Sequence, residues 1–175
     1  MKTYKQTTCK TCLASSLLLL INEKPDQKKE MEILTNGLKF TKWNYSIGQL
    51  NFIAKKYKKN VVIYIGDKKL INLFRRLPIS KRIKVILENI NLKLIRKLIK
   101  KPLIAYVDDY LFRRELHYPH FIVIWKLEKN KFIITDPWDG KIKRLTPIEL
   151  VKGINILKNT LKFSPQLIQI EEVFV

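Results

Sequence analysis

Apolar residues recur with helical spacing in the first part of the chain. An unbroken apolar run begins at residue 12 and predicts a buried helix over 12–22, which must end before Pro25 because proline cannot continue a helix. Residues 26–46 are mixed and predict a short helix followed by a loop that closes at Asn36-Gly37. Ser46 is a suitable N-cap for a further helix over 47–58.

The middle of the chain combines one short apolar run with longer periodic segments. Residues 60–66 are β-branched and end at a glycine, so they predict a strand. A helix is expected over 67–76. A longer helix over 80–100 is predicted from an apolar stripe formed by Ile83, Leu87, Ile90, Leu94 and Leu98.

From Pro102 onward the pattern changes to β-strands. Three β-branched and aromatic runs cover 102–107, 120–127 and 131–136, and residues 128–130 form a tight connection between the last two. A turn at Asp139-Gly140 leads to another strand, Thr146 caps a helix to about residue 157, and 166–175 forms a last strand. The prediction is a single α+β domain over 1–175, with N-terminal helices packed on a C-terminal antiparallel sheet.

Composition describes a basic globular protein. Apolar residues make up 46% and charged residues 29%, and 35 basic against 15 acidic residues give a net charge of +20. The charge is spread along the chain, which favours general solvation, and we expect no specific nucleic-acid partner. A second reading remains open: the 80–100 helix would present basic residues to nucleic acid or weakly to an anionic membrane surface, namely Lys81, Lys84, Arg96, Lys97 and Lys100.

The N-terminal apolar run resembles a secretory signal only superficially. No small-residue cleavage site follows it, and it is too short to span a bilayer. The expectation is therefore a cytoplasmic protein without a transmembrane segment. Its two cysteines then indicate free thiols, a metal site or catalysis rather than a disulfide framework.

Four residues carry candidate chemistry: Gln6, Cys12, His120 and Asp136. Gln6 precedes Cys12 by six residues, and Cys12 opens the apolar helix, with Ser16 and Leu17 following. His120 begins the strand HFIVIW, and Asp136-Pro137 ends the next strand. In this order the residues resemble the papain-like cysteine peptidases, and within them the bacteriocin-processing, double-glycine leader peptidase family and its stand-alone relatives. The resemblance covers roughly residues 4–150.

The resemblance implies an amide-cleaving site without a cofactor. Cys12 would attack as thiolate, activated by the helix N-terminus and a neighbouring imidazolium. His120 would be the general base, Asp136 would orient it, and Gln6 would donate to the oxyanion. His120 and Asp136 would be cross-strand neighbours in a hairpin. The substrate would be a peptide or protein.

Two departures from the family pattern bear on activity. Leu13 occupies the position after the nucleophile, where the family usually has glycine, so an inactive relative remains open. Hydrolysis and acyl transfer to another nucleophile both remain open as well, because the substrate is not inferable. Cys9 lies three residues upstream, but the six-residue spacing from Gln6 and the position at the start of the apolar helix favour Cys12 as nucleophile. Because the sequence begins almost at the motif, we expect no N-terminal prosegment and no attached transporter.

Metal binding is the alternative from another class. Cys9 and Cys12 form a C-x₂-C pair and His117 and His120 an H-x₂-H pair, together four nominal zinc ligands. The histidine spacing is shorter than usual for zinc, and residues three apart point to opposite faces of a regular strand. This reading predicts a structural zinc protein instead of a peptidase.

Overall fold

One mixed sheet of seven strands organises the computed structural model, which describes residues 1–21, 23–41 and 45–171. The strand order is β2-β1-β7-β3-β4-β5-β6. All neighbouring pairs are antiparallel except β1 and β2, which are parallel. The strands are β1 (Asn60–Ile65), β2 (Ile83–Leu87), β3 (Leu103–Asp108), β4 (Pro119–Glu128), β5 (Lys131–Asp136), β6 (Lys141–Leu145) and β7 (Gln166–Glu171).

Helices cover both faces of this sheet. The described helices are α1 (Cys12–Leu20), α2 (Gln27–Phe40), α3 (Tyr45–Lys56), α4 (Lys68–Arg75), α5 (Leu92–Leu98), α6 (Tyr110–Arg113) and α7 (Pro147–Asn159). The first four pack on one face in a core that includes Ile104 and Val123, whereas α5 and α7 pack on the other, with Ala105 and Ile122. Residues that alternate along β3 and β4 therefore face different cores. The α+β prediction is confirmed, with helices on two faces of the sheet.

Helix α1 is buried along almost its whole length. Every residue from Cys12 to Leu19 is buried, which explains why the helix has no charged face and, apart from Ser15 and Ser16, carries apolar residues on all sides. The helix packs chiefly against β4 and α2. Its first residue therefore has a fixed position relative to the strand that carries His120.

The long helix predicted over 80–100 is wrong. The segment contains β2, which pairs with β1, then a loop, then α5. The Asn91 side chain accepts a hydrogen bond from Leu94 N at 2.9 Å and starts the new helix. The apolar spacing suits a helix, but the β-branched run Ile83–Leu87 completes a sheet edge instead. Because Lys84 and Arg96 lie on different elements, no continuous basic helix supports the membrane reading.

The predicted loop at Asn36-Gly37 is also wrong, since both residues lie inside α2. Gly37 is required by packing and not by a turn. A Cβ atom on Gly48 of α3 would lie 2.4 Å from the Gly37 carbonyl oxygen, so the two helices cross with their backbones in contact. The connection over 42–44 lies outside the described residues, as do Asn22 of the predicted first helix and 172–175 of the predicted last strand.

Candidate active site

Cys12 is the first residue of α1 and is 7% exposed. The N-cap residue, Thr11, makes no side-chain bond to the helix, because its hydroxyl donates to Thr8 O at 2.8 Å instead. The positive end of the helix dipole is therefore not covered by a capping side chain. Such a position favours negative charge on the Cys12 sulfur atom.

His120 lies between Cys12 and Asp136 and is 1% exposed. Its Nε2 atom is 2.7 Å from Asp136 Oδ1, so Nδ1 is the ring nitrogen left for an interaction with Cys12. Burial alone would lower the pKa of His120, but the hydrogen bonds with Asp136 and Cys12 raise it above its ordinary value. The imidazolium form therefore persists to a higher pH than in a free histidine.

Asp136 is completely buried and accepts several hydrogen bonds. Oδ1 accepts from His120 and from Trp138 N at 3.0 Å, and Lys143 Nζ lies 2.5 Å from Oδ2. Burial alone would raise the pKa of Asp136, but the bonds from His120 and Lys143 hold it well below its ordinary range. The carboxylate therefore stays ionised over the pH range in which His120 exchanges its proton.

A β-bulge puts His120 and Asp136 on the same face of the sheet. The register of β4 against β5 shifts by one residue at Trp125. Extending the register that follows the shift puts Asp136 opposite Ile122, on the face that His120 shares. The unshifted register from the hairpin turn would put Asp136 opposite Val123, on the other face. A hairpin was the basis for predicting that His120 and Asp136 are close together. The bulge is what puts their side chains on the same face of the sheet.

Gln6 belongs to an N-terminal segment that crosses the turn after β5. Its backbone N–H donates to Pro137 O at 2.7 Å, and its Nε2 donates to Thr8 O at 2.7 Å. Gly140 has a positive φ of 69°, and a Cβ there would lie 2.9 Å from Lys5 N, so only glycine lets the segment approach. Gln6 is buried, Oε1 has no partner, and one Nε2 hydrogen remains unused.

The buried Glu30 of α2 holds this segment against α1. Oε1 accepts hydrogen bonds from Thr7 N and Ser15 Oγ, both at 2.9 Å. Oε2 accepts from Tyr4 Oη at 2.7 Å and Thr7 Oγ1 at 2.5 Å. Burial and the bond to Glu30 raise the pKa of Tyr4 to about 12, so this phenol stays a donor. Sequence reasoning missed Glu30, because a single glutamate in a polar helix gives no signal.

Substitution of Glu30 should separate its geometry from its charge. Glu30→Ala leaves buried donors unpaired and should lower the free energy of unfolding by about 3 kcal/mol. Glu30→Gln should cost only about 1 kcal/mol, because an amide oxygen can still accept from Thr7 N while the hydroxyls of Tyr4 and Thr7 rotate to accept from the amide nitrogen. Urea unfolding measures both variants. Equal losses would show that the carboxylate charge, and not the hydrogen-bond geometry, holds the segment.

A cavity of about 420 Å³ opens beside Cys12. Four aromatic residues line part of this aromatic cavity, together with Leu13 beside the cysteine and charged side chains that include Lys10, Asp67, Lys69 and Lys162; the aromatic residues are Tyr45, Tyr106, Phe121 and Phe163. Burial raises the pKa of Tyr45 to about 12, so its phenol stays neutral at physiological pH. Leu13, at the position where the related peptidases usually have glycine, is 1% exposed and belongs to the core.

The four nominal zinc ligands are not brought together. His117 Nδ1 pairs with Asp108 Oδ2 at 3.1 Å and its ring stacks on Tyr110, whereas His120 pairs with Asp136. Cys9 is exposed in the preceding turn. Within residues 1–21, 23–41 and 45–171, no three His, Cys, Asp or Glu side chains form a group that could hold a metal ion. The donor geometry therefore does not support the zinc reading.

Comparisons with known proteins agree with this fold. Residues 68–150 match the model of the Peptidase C39 family, a segment that contains His120 and Asp136 but neither Gln6 nor Cys12. Over this segment the chain is similar to the Peptidase C39 family, as the expected resemblance to leader peptidases implies. The crystal structure of a presumed C39-like peptidase from Bacillus anthracis aligns over 97% of this chain and 94% of that chain, with a TM-score of 0.56 and 12% identity. No curated protein matches the chain.

In the described part of the chain, no helix is long and apolar enough to cross a membrane.

Proposed function

We propose that this protein is a cysteine peptidase that cleaves peptide bonds with a Cys12–His120–Asp136 triad. The observation that carries the proposal is the buried imidazole of His120, whose Nε2 lies 2.7 Å from Asp136 Oδ1 and whose interaction with Cys12 helps to raise its pKa. A nucleophile, a base and an orienting carboxylate in this order form the arrangement that activates a thiol for acyl chemistry. The matched C39 segment, which contains two of the three residues, adds support.

The chemistry follows from the atoms present. The Cys12 thiolate attacks the carbonyl carbon of the scissile amide and forms a tetrahedral intermediate. The Cys12 backbone N–H and the second Nε2 hydrogen of Gln6 stabilise its oxyanion. His120 gives its proton to the leaving amine, and the amine departs to leave a thioester on Cys12. Water then attacks the thioester carbon and gives a proton to His120, the acyl–sulfur bond breaks, and the peptide acid and the Cys12 thiolate are released while Asp136 holds the ring in place.

The aromatic cavity beside Cys12 supports a peptide or protein substrate. At about 420 Å³ it is large enough to accept one or two side chains next to the scissile bond. A peptide lying across the mouth of this cavity would present its carbonyl carbon to the sulfur atom.

Selective alkylation tests the proposal. The protein is treated with iodoacetamide at pH ~6, the modified cysteines are mapped by mass spectrometry, and cleavage of a mixed peptide pool is followed. Cys12 should react much faster than the more exposed Cys9, because the helix N-terminus and the His120 imidazolium favour its thiolate. Cleavage should fall in proportion to Cys12 modification.

Two outcomes would count against this function. Cleavage that persists after Cys12 is fully alkylated would exclude Cys12 as the nucleophile. Rapid alkylation of Cys12 without hydrolysis of any peptide, but with transfer of the acyl group to an added amine, would identify an acyl transferase instead.

A further inference from the structure

Two cationic side chains approach the side of Asp136 that faces away from His120. Lys143 Nζ, on β6, is 2.5 Å from Oδ2 and also 3.0 Å from Asp139 Oδ2. Arg113 Nη1, on α6, is 3.9 Å from the same Oδ2 atom. Neither residue could be singled out from the sequence, since the chain has 35 basic residues.

Neighbouring side chains partly shield both cations from solvent. The Arg113 guanidinium pairs with Asp109 and stacks over the Trp138 ring, with its Cζ atom 4.4 Å from the ring centroid. The Lys143 ammonium lies 4.8 Å from the centroid of the Phe112 ring, and its side chain is 27% exposed. Reduced solvent around Lys143 weakens the screening of its charge, so it acts on Asp136 more strongly than a surface lysine would.

The hydrogen bonds of Asp136 divide between its two oxygens. Oδ1 accepts from His120 Nε2 and Trp138 N, and Oδ2 faces Lys143. If Oδ2 lost its partner, the carboxylate could rotate about its Cβ–Cγ bond and weaken the bond to His120. An ammonium on Oδ2 therefore fixes the plane in which Oδ1 meets the imidazole.

We propose that Lys143 is a positioning residue for the Cys12–His120–Asp136 reaction: its ammonium holds Oδ2 of Asp136 and so keeps Oδ1 aligned with His120. The expected effect of Lys143 on cleavage rests on the proposed function. Arg113 approaches the same Oδ2 atom from farther away and is held in place by Asp109.

The same contact sets how strongly His120 holds its proton. A negative Asp136 stabilises the imidazolium, and a positive Lys143 offsets part of that stabilisation. Removal of the Lys143 charge should therefore shift the titration of His120 to higher pH. The charged and titratable groups that face this pair come from several elements: Cys12 on α1, Asp109 and Arg113 at α6, Asp139 in the turn, and Lys143 on β6.

Nuclear magnetic resonance of the histidine rings tests this directly, because the chain has only two histidines. In Lys143→Met the titration midpoint of His120 should rise by about 1 pH unit, because Asp136 stays charged beside the imidazolium even where its alignment is looser and the opposing Lys143 charge is gone, while His117 serves as an internal reference. Peptide cleavage, measured as kcat/KM at pH ~7, should fall about tenfold because Asp136 loses its alignment. Arg144→Met is the matched control: it removes one positive charge from an exposed position on the same strand and should change neither quantity.

Two further variants separate alignment from charge and guard against a folding defect. Lys143→Arg keeps the charge and a donor, so both the His120 midpoint and cleavage should stay near wild type. Lys143→Gln keeps a donor but removes the charge, so the midpoint should rise while cleavage falls less than in Lys143→Met.

The outcomes distinguish this inference from the proposed function. An unchanged His120 midpoint and unchanged cleavage in Lys143→Met would overturn the role of Lys143 and leave the peptidase assignment intact. If the His120 midpoint rises as expected in Lys143→Met but the wild-type protein cleaves no peptide, the coupling of Lys143 to His120 would be supported and the peptidase function would be overturned.

Discussion

Replacement of Cys12 by serine is expected to lower peptide cleavage by at least about 10³-fold, because a serine hydroxyl in this site lacks the nucleophilicity of a thiolate. The substitution is nearly isosteric, and Cys12 is only 7% exposed, so the fold should survive. The measurement is the rate of hydrolysis of the peptide pool, with the unfolding midpoint as a check on folding.

Cys9→Ser is the matched control for this experiment. Cys9 is exposed in the turn before α1, and it should be replaceable with cleavage close to wild type. An equal loss in both variants would mean that the two thiols act together, and the single-nucleophile mechanism would be wrong. Loss of the folded state in both, with zinc bound at one ion per chain in the wild type, would favour the metal reading.

His120→Ala is expected to slow alkylation of Cys12 by about 100-fold near pH 6 and to abolish detectable peptide cleavage. The reason is the position of His120, whose imidazolium lies beside the sulfur atom and whose raised pKa keeps it protonated at this pH. The measurement is the iodoacetamide rate at Cys12, compared with the rate at Cys9 in the same sample. The rate at Cys9 should be unaffected.

His117→Ala provides the matched histidine control. His117 pairs with Asp108 at 3.1 Å and stacks on Tyr110, and it makes no hydrogen bond with Cys12 among the contacts of the described residues. Its removal should change the Cys12 rate by less than about twofold. A large and equal effect from both histidines would contradict the assignment of His120 as base and would indicate a shared structural role.

Local sequence signals predicted those elements of the fold that are decided by interactions between residues close together in the chain. The apolar run from Cys12 predicts a helix that is buried on all sides, and α1 is that helix. Thr146 forms a capping box with Glu149, as the cap pattern indicates. Lys129 and Asn130 have positive φ angles in the predicted two-strand connection. In each case the deciding interaction lies within a few residues of the signal.

Predictions failed where a distant partner decided the conformation. The residues of β2 carry helical spacing, but pairing with β1 more than twenty residues away makes them a strand. Gly37 suggests a turn, yet the approach of Gly48 from α3 explains why it is glycine. Periodicity and turn chemistry report only the local preference of the backbone, which a tertiary contact can override.

The sequence by itself determined which residues are candidates for the site and in which order they occur. Gln6, Cys12, His120 and Asp136 can be named from spacing and resemblance, and their catalytic roles remain predictions. Only the tertiary structure decided how they meet: the bulge at Trp125 selects the face of the sheet, and Glu30 and Lys143 hold the loop and the carboxylate in place. These contacts join residues far apart in the chain, and hydrogen-bond geometry at that range depends on the packing of the whole sheet and its helices.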